Sequence, residues 1–132
     1  MSVTIEDIAR SAANWSIEVT PVGATKIDSF AEVLAENTTV NVTFLPGSDP
    51  LDTIAISKRL ADEGMNAVPH IAARSLQDRA QLDDLLKRMT AEANVREVLV
   101  IGGGVDKPVG EFDSTMQVLN TGLIQKYGIT TI

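Results

Sequence analysis

Short runs rich in β-branched residues alternate along this chain with longer stretches of helical periodicity, and that alternation limits the possible folds more than any other feature. The first run, Ser16-Ile17-Glu18-Val19-Thr20, is closed by Pro21 and Gly23 and reads as a strand. From Lys26 to Glu36, Ile27, Phe30, Val33 and Leu34 fall at helical spacing with charges between them. A second strand, Thr39 to Phe44, stops at Pro46-Gly47. Ser48 or Asp49 then caps a helix with Pro50 in its first turn, where a missing N–H is tolerated, and the helix runs to about Glu63 before Gly64 ends it. Ala67 to Ala72 is a third strand, and Ser75 is the expected cap of a charged helix from Leu76 to Ala93, with Leu82, Leu85, Leu86 and Met89 on its apolar face. Val98 to Ile101 is a continuous apolar run, the pattern of a strand covered on both faces. It enters Gly102-Gly103-Gly104, followed by a helix from about Ser114 to Lys126 with Met116, Leu119 and Ile124 inward. Ile129 to Ile132 begins a fifth strand.

Strand, helix, strand with short connections implies right-handed crossovers and a parallel sheet. The count is five strands and four helices in one α/β unit, residues 16–132, behind an N-terminal lead of residues 1–15. Two architectures satisfy it: an open doubly wound sheet, or the first half of a (β/α)8 barrel, which takes ~250 residues in full. A net charge of -7 repels polyanions, which argues against a general nucleic-acid binder. Aromatic residues at 4% supply no stacking platform for bases. The absence of cysteine excludes disulfides, thiolate zinc sites and thiol nucleophiles, and makes the cytoplasm the expected compartment. No run approaches the ~20 apolar residues of a membrane helix, and the N-terminus has no apolar segment of the signal-peptide kind.

In parallel α/β folds the chemistry lies beyond the carboxyl ends of the strands. That leaves few candidates: Glu18 and Thr20, Thr43, His70 and Arg74, and Gly102 to Asp106. Glu18 stands between Ile17 and Val19, where an ionised carboxylate is rare unless paired or functional. Desolvation there favours the protonated form and suits a general acid; the alternative is a carboxylate at a sheet edge, turned to water or paired with a lysine. His70, the only histidine, is either a ligand contact or, more commonly for a lone histidine, a satisfied core residue. One histidine without cysteine does not build the usual zinc site, and no metal site is expected. The glycines at 102–104 admit close approach of a ligand to the backbone, yet they match neither the dinucleotide fingerprint nor a P-loop.

Taken in order, these segments resemble the N-terminal half of the methylenetetrahydrofolate reductase family. That barrel opens with a strand of the form S-F-E-F-F-P-P, continues with V-S-V-T-Y-G, A-P-H-L-T and a strand ending L-R-G-D, and then has a helix starting Y-A-S-D-L. The counterparts are Ser16-Ile17-Glu18-Val19-Thr20-Pro21, Val40 to Phe44, Val68-Pro69-His70-Ile71-Ala72, Leu99 to Gly104, and Phe112 to Met116. The match runs from Ser16 onward over almost the whole chain; no single motif in it is diagnostic, and the weight lies in five falling in register.

The resemblance implies parallel (β/α) repeats forming the first half of a TIM-type barrel. It also implies a flavin-dependent oxidoreductase of one-carbon metabolism, serving methionine biosynthesis. In such an enzyme hydride passes between NAD(P)H and 5,10-methylenetetrahydrofolate by way of FAD, giving 5-methyltetrahydrofolate or running in reverse. Glu18 then matches the family's general acid toward the folate, Thr43 and His70 match residues lining the flavin pocket, and Ile101, Gly102, Gly103 and Gly104 match the flavin-contacting loop. Gly102 stands where the family has arginine and Gly104 where it has an aspartate near the flavin and the pterin, with Asp106 two residues on as the candidate substitute toward the folate. The family's later strands have no counterpart before Ile132. A half barrel exposes sheet edges and one sheet face, so association is expected, either as a homo-oligomer or with a C-terminal half. The alternative reading is a folate- or flavin-binding module without turnover.

Overall fold

In a computed structural model, residues 2–132 are described; Met1, the first residue of the N-terminal lead, lies outside them. Four strands form one parallel sheet: β1 (Ser16–Val19), β2 (Thr39–Val42), β3 (Asn66–Ala72) and β4 (Leu99–Ile101). They lie side by side in chain order, β1-β2-β3-β4. A doubly wound sheet reverses its strand order at a switch point, and these four strands show no reversal. The register runs Glu18 to Asn41, Asn41 to Val68, and His70 to Leu99. The expected fifth strand amounts to one parallel bridge between Thr131 and Glu97, supported by the Val98 N–H donating to the Thr131 carbonyl at 3.2 Å.

The helices are α1 (Ile5–Ser11), α2 (Pro21–Ala24), α3 (Phe30–Val33), α4 (Pro50–Asp62), α5 (Arg79–Ala93), α6 (Thr115–Asn120) and α7 (Leu123–Lys126). The lead helix α1 is closed by a capping box between Thr4 and Asp7 and buries none of its residues. In α4 the Asp49 side chain accepts from the Leu51 N–H at 2.9 Å, Pro50 opens the first turn, and Gly64 turns the chain at φ +84, as the sequence predicts.

Alternation along the strands sorts the side chains. Val40, Val42 and Ala67 pack with Phe30 and Leu60 in one core cluster, while Ile71 and Val98 pack with Leu82, Leu86, Met89 and Ile124 in another. Each large aliphatic buried there contributes about 1.5–3 kcal/mol. The opposite sheet face, carrying Glu18, Asn41 and Leu99, has no helix layer, and Leu99 is 40% exposed. The continuous apolar run at Val98 to Ile101 was expected to be covered on both faces; β4 is covered on one.

Three helix boundaries differ from the expectation. Of the single helix predicted from Lys26 to Glu36 only the one-turn α3 forms, with the one-turn α2 ahead of it at Pro21–Ala24, because side chains of α4 supply backbone partners to this segment. The Arg59 guanidinium donates to the carbonyls of Ala24 (2.8 Å), Ile27 (2.6 Å) and Asp28 (3.1 Å), and the Glu63 carboxylate accepts from the Phe30 and Ala31 N–H groups. The helix expected to be capped by Ser75 starts later: Ala73–Ser75 is a 3-10 turn, Leu76 is extended, and Asp78 caps α5 by accepting from the Gln81 N–H at 2.8 Å. The last predicted helix breaks at Gly122, which is left-handed at φ +71, and leaves Met116 exposed instead of inward.

Candidate functional site

Parallel strands in register bring equivalent positions of neighbouring strands together at one end of the sheet. On the open face, one step beyond the Val42 to Pro69 pair, Thr43 stands beside His70, and the Thr43 N–H donates to the Val19 carbonyl at 2.9 Å. Thr43 also reaches Glu18, donating its hydroxyl to Oε1 of the carboxylate. Glu18 and Thr43 are thus in direct contact, and His70 is close enough to feel the Glu18 charge.

Glu18 is exposed. The desolvation expected of a carboxylate between Ile17 and Val19 is therefore not present: β1 has a neighbour on one side only, and its open face meets water. The edge alternative holds, with threonine in place of lysine as the partner.

His70 is the reverse case. Its side chain is buried, and neither Nδ1 nor Nε2 has a hydrogen-bond partner among the described residues. Burial lowers its pKa below the ordinary 6.5, opposed in part by the negative charge of Glu18, so the ring is neutral at pH 7. A neutral imidazole offers one donor and one acceptor, and an orphaned buried polar pair is costly to keep. A cavity of about 10 Å³ lies against the ring, lined by Phe44, Pro50, Ser75, Leu76 and Leu85, with room for no more than a single water. Both nitrogens are closed to solvent, so a larger partner reaches them only if the surrounding side chains move.

The β4 loop closes over the end of β3. Ile101 pairs with Ala72, and the Gly102 carbonyl accepts from the Arg74 N–H at 2.9 Å. Gly103 turns at φ +99, and a methyl group there would sit 3.4 Å from the Ala72 Cβ, so the left-handed turn and the close approach both favour glycine. Gly104 comes against Pro46, its Cβ position 3.5 Å from that ring, which brings the loops after β2 and β4 together. Nothing lies within 4 Å of the Cβ position of Gly102. Asp106 is exposed farther along this loop. The return strand of the loop runs against residues 74–77, the Val109 and Glu111 N–H groups donating to the Arg74 and Gln77 carbonyls, and Gly110 is obligatory there because a Cβ would stand 1.9 Å from the Gln77 oxygen.

The structure thus brings Glu18, Thr43 and His70 together on one face and places Ile101 to Gly104 at the same end of the sheet. Arg74 and Ser75, the latter expected as a helix cap, both lie in the 3-10 turn at this end of the sheet. Their signal was position: both directly follow β3, the one strand buried along nearly its whole length.

Among the described residues no group of three or more His, Asp and Glu converges on a possible metal position, and no helix is long and apolar enough to cross a membrane. No family model matches the chain.

Proposed function

We propose that these strands are the opening strands of a (β/α)8 barrel and that the chain carries a methylenetetrahydrofolate reductase-like site at their carboxyl ends. The observation that carries the reading is the exposed Glu18 carboxylate held by Thr43 beside a buried, neutral and unpartnered His70, at the carboxyl ends of the strands. Sequential parallel strands with helices on one side support the barrel, since a barrel is such a sheet closed on itself.

The residues present fit the binding of a flavin ring. His70 has an unused donor and an unused acceptor, which the edge of a polar heteroaromatic ring would satisfy once the side chains closing over them give way, and the glycines at 102–104 leave backbone without side chains between. A bound flavin supplies the hydride chemistry, which is the cofactor's own. Thr43 fixes Glu18 by occupying Oε1, which leaves Oε2 as the oxygen that holds and delivers a proton to the folate nitrogen as the methylene bridge opens. Running in reverse, the same oxygen takes the proton back. FAD and NAD(P)H are the cofactors of this reading and a reduced folate is its substrate. Gly104 contributes no carboxylate at the position where the family has one, so the acid chemistry falls to Glu18 alone.

Glu18→Gln tests the assignment. It keeps the shape and the Thr43 contact and removes the proton, so turnover of methylenetetrahydrofolate falls by about 10²–10⁴ while flavin affinity is unchanged. Undiminished turnover in the variant removes Glu18 from the acid role. A second reading, a cofactor-binding module without turnover, is favoured by the exposure of Glu18 and the bare Gly104; its mark is flavin binding by the unaltered protein with no folate reaction.

A further inference from the structure

We propose that the protein binds a neutral pyranose sugar at the amino end of the sheet, the end opposite the site described above. Trp15 immediately precedes β1, and residues 36–38 lead the chain into β2. The two strands pair from Ser16 and Thr39 onward, so their entries lie side by side. Between them is a cavity of about 230 Å³ whose lining includes Asn14, Trp15, Glu36, Asn37, Thr38 and Thr39. A cavity of roughly 150 Å³ takes a benzene ring, so one six-membered ring with substituents has room here.

The lining matches the two surfaces of such a ligand, an apolar C–H face and a rim of hydroxyls that each donate and accept. Trp15, 53% exposed, offers an aromatic ring whose electron-rich face attracts the weakly positive hydrogens of the C–H face. Thr38 donates its hydroxyl to the Ala35 carbonyl at 2.6 Å and Thr39 accepts from the Asn66 side-chain amide at 3.2 Å, while the side chains of Asn14, Trp15, Glu36 and Asn37 make no hydrogen bond among the described residues. Two amides, a carboxylate and an indole N–H therefore remain for the hydroxyl rim. The turn is fixed without a ligand: the Asn37 N–H donates to the Gly64 carbonyl at 2.8 Å, and the Thr38 carbonyl accepts from the Asn66 N–H at 2.9 Å. Binding consequently has little backbone left to order. Other ligand classes fit less well. Glu36 is the only charged residue of the lining, and with the net charge of -7 it repels phosphates and carboxylates. An apolar ligand would bury the amides and the carboxylate without partners, and one aromatic ring does not make the cage that holds a quaternary ammonium.

Trp15 is the only tryptophan of the chain, so tryptophan emission reports on this cavity alone. Glucose, galactose, mannose, N-acetylglucosamine, maltose, cellobiose and lactose are titrated into the protein, with choline and inorganic phosphate as charged comparisons. At least one sugar shifts the Trp15 emission saturably, and neither charged probe does. Asn37 is left-handed at φ +64, a conformation that glycine adopts freely, so Asn37→Gly removes the amide and keeps the turn. It weakens the sugar by about tenfold or more, as does Glu36→Ala at an exposed position, whereas Asn94→Gly at the left-handed cap of α5, outside the cavity, leaves the affinity unchanged. Circular dichroism records the fold of each variant. The proposal is overturned if no sugar of the panel shifts the emission, if choline or phosphate shifts it and the sugars do not, or if Asn37→Gly and Asn94→Gly behave alike. None of these outcomes bears on the flavin and folate reading, which concerns the other end of the sheet.

Discussion

β1 and β3 belong to the same sheet, are separated by one strand, and each carry one polar residue of chemical interest, yet their environments are opposite. No residue of β1 is buried; six of the seven in β3 are. β3 has strands on both sides and α4 against it, whereas β1 pairs only with β2. The consequence for the two polar residues runs against their usual preferences. Glu18, flanked by apolar residues, stands in water with a threonine as partner; His70, the type of residue more often satisfied in a core, is buried with both nitrogens free. The place of a strand in the sheet decided the environment, and the residues flanking it did not.

The largest expected effect separates the two regions directly. Ile71→Ala, deep in the β3 core, costs about 2–5 kcal/mol in denaturant unfolding, and Ile17→Ala on β1 costs less than about 1 kcal/mol. Similar losses at the two sites would mean that β1 is covered in solution.

A smaller effect tests how the β1 side is held. There the crossover between β1 and β2 depends on the Arg59 and Glu63 side chains more than on a continuous helix. Burial pushes the Glu63 carboxyl up, but hydrogen bonds from Arg59 and from the Phe30 and Ala31 amides outweigh it, so its pKa lies below the ordinary 4.5. Glu63→Ala should lower the unfolding midpoint by less than Ile71→Ala does, and amide hydrogen exchange should quicken at Phe30 and Ala31 while β3 stays protected. Faster exchange spread evenly over the sheet would contradict a local clamp.

The smallest effect is a pH dependence centred on β3. Because the folded state lowers the His70 pKa, it prefers the neutral ring; stability is complete above the unfolded value of 6.5 and declines as pH falls below 6.5 toward the lowered folded value. Melting temperatures measured from about pH 8 down to about pH 5 should show that decline in the unaltered protein and a flatter profile in His70→Gln. The Glu63 contribution is lost only at lower pH, below 4.5, so the two limbs are separable.

Much of the fold was legible in the residues. The four strands, the Asp49 and Pro50 start and Gly64 stop of α4, and the Leu82, Leu85, Leu86 and Met89 face of α5 follow from periodicity and end signals that act locally. The crossover at residues 26–36 was not legible, because its backbone partners are side chains some thirty residues away on α4. Nor was the late start of α5, set by the pairing of Arg74 with Gly102 across the sheet. For the candidate site, strand-end position was enough to select Glu18, Thr43 and His70. Their burial was not legible, since it depends on which strand is the edge, and that is a property of the assembled sheet.

The most direct test of the central claim uses the fact that the chain has a single histidine. In protein labelled with ¹⁵N at that residue, the two imidazole nitrogens give one unambiguous pair of NMR signals that report tautomer and hydrogen bonding. A neutral ring at pH 7 is expected, with nitrogen signals that shift when FAD is added to saturation, as a free donor or acceptor gains a partner. Signals that stay in place when FAD is bound, or an absence of FAD binding, would contradict the claim that His70 is held for a ligand at the carboxyl end of the sheet.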